Sequence, residues 1–281
     1  MSAPASRPDK QERSERPLID AIERPSHVPI VDSAGEFFGF VWEGFRGFRL
    51  LPKFTAEVLR QIGLLVAGSV LVIVFLGFVA GAGCGIAAEA IGQAIGASIV
   101  GPLFSSFCAT REIVPFIFGF IVAAKVGGGI VAQLGAMRVN EEVDALEVMG
   151  ISSIGFLVST RMLAAMVVMP VAYIIAVGAG QAAAWVTSFV RSGTVSQGTW
   201  EFVFYTVTTP TDLINSMIKG LVISTAVIMT ALYFGYRVRG GPVEVGTATA
   251  QSMAVNLILV TVLNMIMTFL FYGFDPGLPI A

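Results

Sequence analysis

Residues 61–83 read QIGLLVAGSVLVIVFLGFVAGAG, without one charged side chain. At 1.5 Å per helical residue the run is roughly 34 Å long, enough to cross the hydrocarbon of a bilayer. The apolar character continues beyond it, and Glu89 is the only charged residue between Gln61 and Thr110. Such a stretch has no reason to fold in water, where a domain usually carries roughly 25% charged residues. The chain of 281 residues is 55% hydrophobic and 13% charged. Nine of its 17 Lys and Arg and nine of its 19 Asp and Glu precede residue 62, so the rest of the chain is poorer still in charge. The expected fold is therefore an all-α integral membrane protein, because a helix satisfies its own backbone inside lipid.

Outward from this run the chain divides by composition. Residues 1–34 are rich in Pro, Arg, Glu and Ser and read as a disordered cytoplasmic tail, not a cleaved signal peptide. Residues 35–60 read as an amphipathic helix lying in the membrane interface. Phe37, Val41, Phe45 and Phe48 share one face with Trp42 beside them, Glu36, Glu43 and Arg46 lie opposite, and Pro52 kinks or ends the helix. The membrane domain runs over 61–275, with about five spans at 61–83, 112–137, 154–187, 213–236 and 251–273. Residues 84–110, Gly-rich and interrupted by Pro102, are expected to form short helices or a re-entrant segment on the far side. An external loop is expected at 188–212 and a Gly-rich loop at 239–250. Arg46, Arg49, Lys53, Arg60, Arg138, Arg161, Arg237 and Arg239 fall on one side, against Arg111 and Arg191 on the other. That asymmetry places the N-terminus inside and, after five spans, the C-terminus outside.

Several chemistries are excluded. The net charge of −2 gives no basic field for nucleic acid. His27, in the polar tail, is the single histidine, which removes Ser-His-Asp and Cys-His catalysis. Cys84 and Cys108 lack metal-ligand spacing. Two buried free thiols are the plainer expectation for them, and a disulfide on the outer side is the alternative. No P-loop motif occurs, and Gly178–Ala183, which fits GxGxxA, lies inside a span with no preceding strand.

What remains is packing, charge and one polar connector. Gly77, Gly81 and Gly85 recur every fourth residue, as do Gly92 and Gly96, which predicts close helix contact. Lys125 lies inside span two and is a functional candidate, since an ionisable group is expensive there. Lys219 lies about two turns into span four and is expected to snorkel outward. Glu89, Arg111 and Glu112 are expected to pair locally near the outer boundary. Residues 138–150, RVNEEVDALEVMG, read as a short helix ended by Gly150. Val139, Val143, Leu146 and Met149 fall on one side, Glu141 and Asp144 on the other, and Glu142 and Glu147 on the flanks. The segment is either a solvated connector or a docking helix for a cytoplasmic partner.

A resemblance favours the second reading. Arg111-Glu112-Ile113-Val114-Pro115, Ala124-Lys125-Val126-Gly127, Gln133-Leu134-Gly135-Ala136-Met137-Arg138, Glu141 through Gly150 and Thr160-Arg161-Met162-Leu163-Ala164 resemble the MlaE/YrbE permease family. Gly240-Gly241-Pro242-Val243 with Val245, Gly246 and Thr249 agrees. The likeness covers residues 35–275 and is nearest the YrbE permeases of actinobacterial Mce systems, B-type rather than A-type. It implies a permease subunit of an ABC-type lipid transporter in the plasma membrane, importing fatty acids, sterols or related lipids. A second YrbE permease would complete a heterodimer, external MCE-domain proteins would sit above it, and a cytoplasmic ATPase dimer would bind ATP and Mg beneath it. No cofactor is expected in this chain. The resemblance assigns residues 138–150 to the coupling helix, with Val139, Glu141, Glu142, Asp144, Leu146, Glu147 and Met149 at the ATPase contact. It places the lipid path at the dimer interface, with Leu71, Phe75, Phe78 and Lys125 as its lining. Gln133 stands where some members carry Glu. An ion-coupled secondary transporter, which needs midplane ionisable groups, and a structural scaffold are the competing readings.

Overall fold

The computed structural model describes residues 29–49, 54–97, 99–189 and 195–273. The elements are α1 (Pro29–Arg46), α2 (Thr55–Ala94), α3 (Val100–Val139), α4 (Glu142–Val148), α5 (Ile154–Thr187), α6 (Gln197–Val207), α7 (Pro210–Tyr236) and α8 (Pro242–Tyr272). Five of them, α2, α3, α5, α7 and α8, are long and apolar enough to cross a membrane.

The boundaries differ from the expected ones in instructive ways. The helix expected at 35–60 already begins at Pro29, so residues 29–34 belong to it rather than to the tail. Residues 1–28 and Pro52 lie outside the described residues. The helix ends at Arg46, and Arg60 sits on α2 instead. Of its aromatic side chains, Phe38, Trp42 and Phe45 are exposed. Span one, expected to stop at residue 83, continues as one helix to Ala94, because Gly83 and Gly85 sit in helical backbone with Ala and Ile around them. Pro102 lies in the first turn of α3, where a missing N–H costs nothing. Span two therefore starts at Val100, without a re-entrant excursion, and passes through wide turns at Cys108–Ile113 and Val122–Gly127. The expected loop at 188–212 contains α6, capped by Ser196, whose Oγ accepts from the Thr199 N–H. Span four opens at Pro210 with a reciprocal cap: Thr209 accepts from the Asp212 N–H while Asp212 accepts from the Thr209 N–H. Span five opens at Pro242, inside the expected Gly-rich loop.

The glycine ridge does what its spacing predicts. A Cβ on Gly77 would lie 3.1 Å from the Ala176 carbonyl oxygen. One on Gly81 would overlap the Gly180 carbonyl, and one on Gly85 the Thr187 hydroxyl. Thus α2 and α5 meet backbone to backbone. The core lies where α3, α5 and α7 meet. Phe118 packs edge-on against Tyr173 at 5.1 Å, and the Tyr173 hydroxyl reaches Ser216 Oγ at 2.5 Å. Gly220 leaves room for that ring. By contrast α2 and α8 keep most of their apolar surface outside.

Cys84 and Cys108 form a disulfide with a Cα–Cα separation of 5.9 Å, so the plainer expectation of two free thiols is overturned. The straight continuation of α2 past residue 83 carries Cys84 to the first turns of α3.

Candidate functional site

Three constellations of polar residues stand out against this apolar frame. The first is α4. Span two ends at Val139, and Glu141 then adopts a left-handed backbone (φ 58°). That conformation is unfavourable for a residue with a Cβ and breaks the helix. Residues 138–150 are thus not one helix: Val139 closes span two, and α4 spans Glu142–Val148. Gly150 ends it as expected, at φ 75°. Its N–H donates to the Glu147 carbonyl at 2.9 Å and the Ile151 N–H to the Leu146 carbonyl at 3.0 Å, the paired closure that favours glycine there.

The side chains of α4 divide into a mount and a tip. Val143 is buried and Leu146 half-buried. Asp144 pairs with Arg138 at 3.0 Å. Arg138 also donates from Nε to the Tyr236 carbonyl at 3.0 Å and lies 4.7 Å over the Tyr236 ring. Ser153 Oγ donates to Glu147 at 2.6 Å and contacts the Tyr236 hydroxyl at 2.8 Å. The short helix is therefore clamped to the last residue of α7. Glu141, Glu142, Val148 and Met149 remain exposed, Val148 at 89% and Met149 at 65%. The face expected from the sequence is split: Val143 and Leu146 turn toward the protein and Met149 away from it.

The second constellation is a cleft of about 190 Å³ between α2 and α3. Gln61 and Ser69 of α2, Lys125 and Gln133 of α3, and Arg161 of α5 line it. Lys125 is exposed to the cleft, whereas Arg161 is only 6% exposed. Of the expected lipid path, Lys125 alone lies here. Leu71, Phe75 and Phe78 sit farther along α2, exposed at 80%, 65% and 40%.

The third constellation lies near the opposite end of α3. Lys219, expected to snorkel, is instead fully buried and paired with Glu112 at 3.1 Å. It also donates to the Arg111 carbonyl at 2.9 Å and to Thr268 Oγ1 at 2.6 Å. Glu112 accepts in addition from Asn264 at 3.1 Å and Thr268 at 2.8 Å. Arg111 pairs with Asp212 at 2.9 Å and stacks on Phe107 and Tyr272 at 4.0 and 4.6 Å. These bonds compensate most of the burial, and they knit α3, α7 and α8 together. Glu89 does not join them: among the described residues it forms no ion pair, and its buried Oε1 has no hydrogen-bond partner. The pairing of Glu112 with Lys219 was not anticipated, although two opposite charges stranded in apolar spans were a usable signal. Nothing in the sequence pointed to Tyr236, Ser153 or Thr268.

The structure thus defines a class: a five-span helical membrane protein carrying a short polar helix clamped to the end of its spans. Residues 58–270 match the family model described as Permease MlaE. The chain belongs to the MlaE permease family. It is 31% identical over 167 residues to a protein of Rickettsia bellii named a probable ABC transporter permease, covering 58% of this chain and 62% of the relative. A Rickettsia conorii protein of the same description is 27% identical over 261 residues, covering 87% of this chain and 94% of the relative. The intermembrane phospholipid transport system permease protein MlaE of Haemophilus influenzae is 26% identical over 166 residues, covering 58% and 62%.

Proposed function

We propose that this chain is the membrane-spanning permease subunit of an ABC-type lipid transporter of the Mce kind, with YrbE B-type character. One observation carries the reading: α4, a seven-residue helix between two spans, holds Val148 and Met149 out into solvent from a rigid mount. Exposed apolar side chains on a preorganised support are what a partner needs to grip. The partner is a separate ATPase dimer, which supplies ATP and Mg. A push on α4 passes through Asp144 and Arg138, and through Glu147 and Ser153, to Tyr236 at the end of α7. Because α2 and α5 interlock through glycines, they would shift as one unit.

Lipid is the proposed cargo: fatty acids, sterols or related molecules, imported across the plasma membrane. The Haemophilus relative is named for phospholipid transport, and the exposed apolar face of α2 suits acyl chains. A second YrbE permease would close the path, with MCE-domain proteins outside. The α4 end is the cytoplasmic one. Arg138, Arg237 and Arg239 gather there, while the disulfide lies toward the other end of α2 and α3, where an oxidising compartment preserves it. The N-terminus is then inside and the C-terminus outside.

A tagged pull-down in mild detergent, with mass spectrometry of proteins and lipids, tests this. The expected yield is a second permease, a P-loop ATPase, MCE-domain proteins and a bound lipid. A single species without ATPase would move the reading to an ion-coupled transporter.

A further inference from the structure

The cleft between α2 and α3 is lined by two cations, Lys125 and Arg161, neither of which forms an ion pair among the described residues. Arg161 is nine-tenths buried, yet among the described residues its guanidinium makes one hydrogen bond to oxygen, to the Leu157 carbonyl at 3.0 Å, and one long contact to Met137 sulfur at 3.7 Å. Its Nε is buried and has no hydrogen-bond partner among the described residues. Glu57 lies within electrostatic range of Arg161 but is taken up by Gln61 at 2.7 Å and Arg60 at 3.3 Å. Lys125 lines the same cleft and forms no ion pair or side-chain hydrogen bond among the described residues. A buried, unsatisfied guanidinium beside an unpaired ammonium inside a span is costly unless something completes the site. The cavity, about 190 Å³, is far larger than the roughly 10–15 Å³ that a single water needs.

Polarity changes sharply along the same helix face. Gly68 of α2 lines the cleft, and Leu71, Phe75 and Phe78 continue its face at spacings of three and four residues. Gly68 to Phe78 covers about 15 Å of helix. A cationic, amide-rich cleft thus opens onto an exposed apolar stripe, which matches an amphiphile with an anionic head. We infer that this cleft is a binding site for an oxyanion, phosphate or carboxylate, carried by a lipid whose acyl chains lie along Leu71, Phe75 and Phe78. Arg161 supplies a planar set of donors and Lys125 a mobile ammonium, while Gln61, Gln133 and Ser69 add neutral donors. Gln133 matters by being neutral: a carboxylate there would cancel part of the field. The site lies well inside the α4 end, since Gln133 and Lys125 fall about 9 and 21 Å along α3 from Val139. This inference deepens the permease reading and rests on it for the lipid, though not for the oxyanion.

The test uses the full complex in nanodiscs of neutral lipid doped with dioleoyl phosphatidate or with dioleoylglycerol, which share acyl chains and differ by the phosphate. Lipid retention is read by native mass spectrometry for the natural chain and for Lys125→Gln, Gln133→Glu and Arg161→Gln. Phosphatidate is expected to be retained about tenfold more tightly than dioleoylglycerol, and the difference to shrink severalfold in each variant. Because Arg161→Gln can perturb folding, Lys125→Gln and Gln133→Glu decide. Displacement of phosphatidate by millimolar inorganic phosphate would support the site and name free phosphate as a competing source. Resistance to it, with the lipid preference intact, would assign the site to the lipid head. Equal retention of both lipids, unchanged in the variants, would overturn the oxyanion site while leaving the permease reading standing. If neither lipid is retained, the permease reading suffers, and phosphate binding alone, lost in Lys125→Gln, then upholds or its absence refutes the cleft assignment.

Discussion

Replacing Glu112 by Gln strips the countercharge from a lysine that cannot reach solvent. Lys219 is fully buried, and its ammonium would keep only the Arg111 carbonyl at 2.9 Å and the Thr268 hydroxyl at 2.6 Å as firm acceptors. An uncompensated buried charge of this kind costs about 3–5 kcal/mol. Lys219→Met is expected to be milder, at about 1–2 kcal/mol, because a carboxylate is easier to leave behind here. Glu112 is 40% exposed at its side chain and still accepts from Asn264 and Thr268. The double variant leaves neither charge of the pair and should resemble Lys219→Met, so the coupling energy equals the cost of Glu112→Gln alone, about 3–5 kcal/mol. The assay is thermal unfolding of the purified protein in detergent or nanodiscs. At about 2–4 °C per kcal/mol, Glu112→Gln should lower the midpoint by roughly 10 °C. Additive single effects, or a larger loss from Lys219→Met than from Glu112→Gln, would refute the claim that Lys219 depends on this partner.

Three further predictions concern the tip, the ridge and the bridge. Val148→Asp with Met149→Arg should cut ATPase co-purification at least about fivefold, as loss of an interface anchor does, and leave the unfolding midpoint within a degree or two. Gly81→Leu should destabilise by several kcal/mol, about 3 or more, because its Cβ would overlap the Gly180 carbonyl. Gly83→Leu, two residues on, meets nothing within 4 Å and should be tolerated, so equal losses from the two in a thermal-shift assay would contradict the packing. Replacing both Cys84 and Cys108 by Ser should cost about 2–4 kcal/mol in stability under non-reducing conditions, and the natural chain with dithiothreitol should match it.

How legible was all this in the sequence? The five spans were, because length and apolarity are one-dimensional properties and the bilayer sets the required length. Their ends were less so. The helix of α2 runs on to Ala94 and α3 begins at Val100, since Gly and Pro stop a helix only where the surroundings leave their backbone unsupported. The ridge at Gly77, Gly81 and Gly85 was readable as a close contact, but not its partner: Ala176 and Gly180 are about a hundred residues away.

By itself the sequence determined that the chain crosses a membrane, where its small-residue ridges lie, and that a charged segment interrupts the spans near residues 138–150. Those features follow from local composition and helical period. Tertiary structure decided which charges are neutralised. It buried Lys219 against Glu112, tied Asp144 and Glu147 to Tyr236 through Arg138 and Ser153, and left Lys125 and Arg161 lining one cleft with no ion pair to either among the described residues. The physical reason is that a charge inside a low-dielectric medium takes its meaning from what lies within a few ångströms. Those neighbours come from other helices, whose order in the bundle no stretch of a single helix encodes.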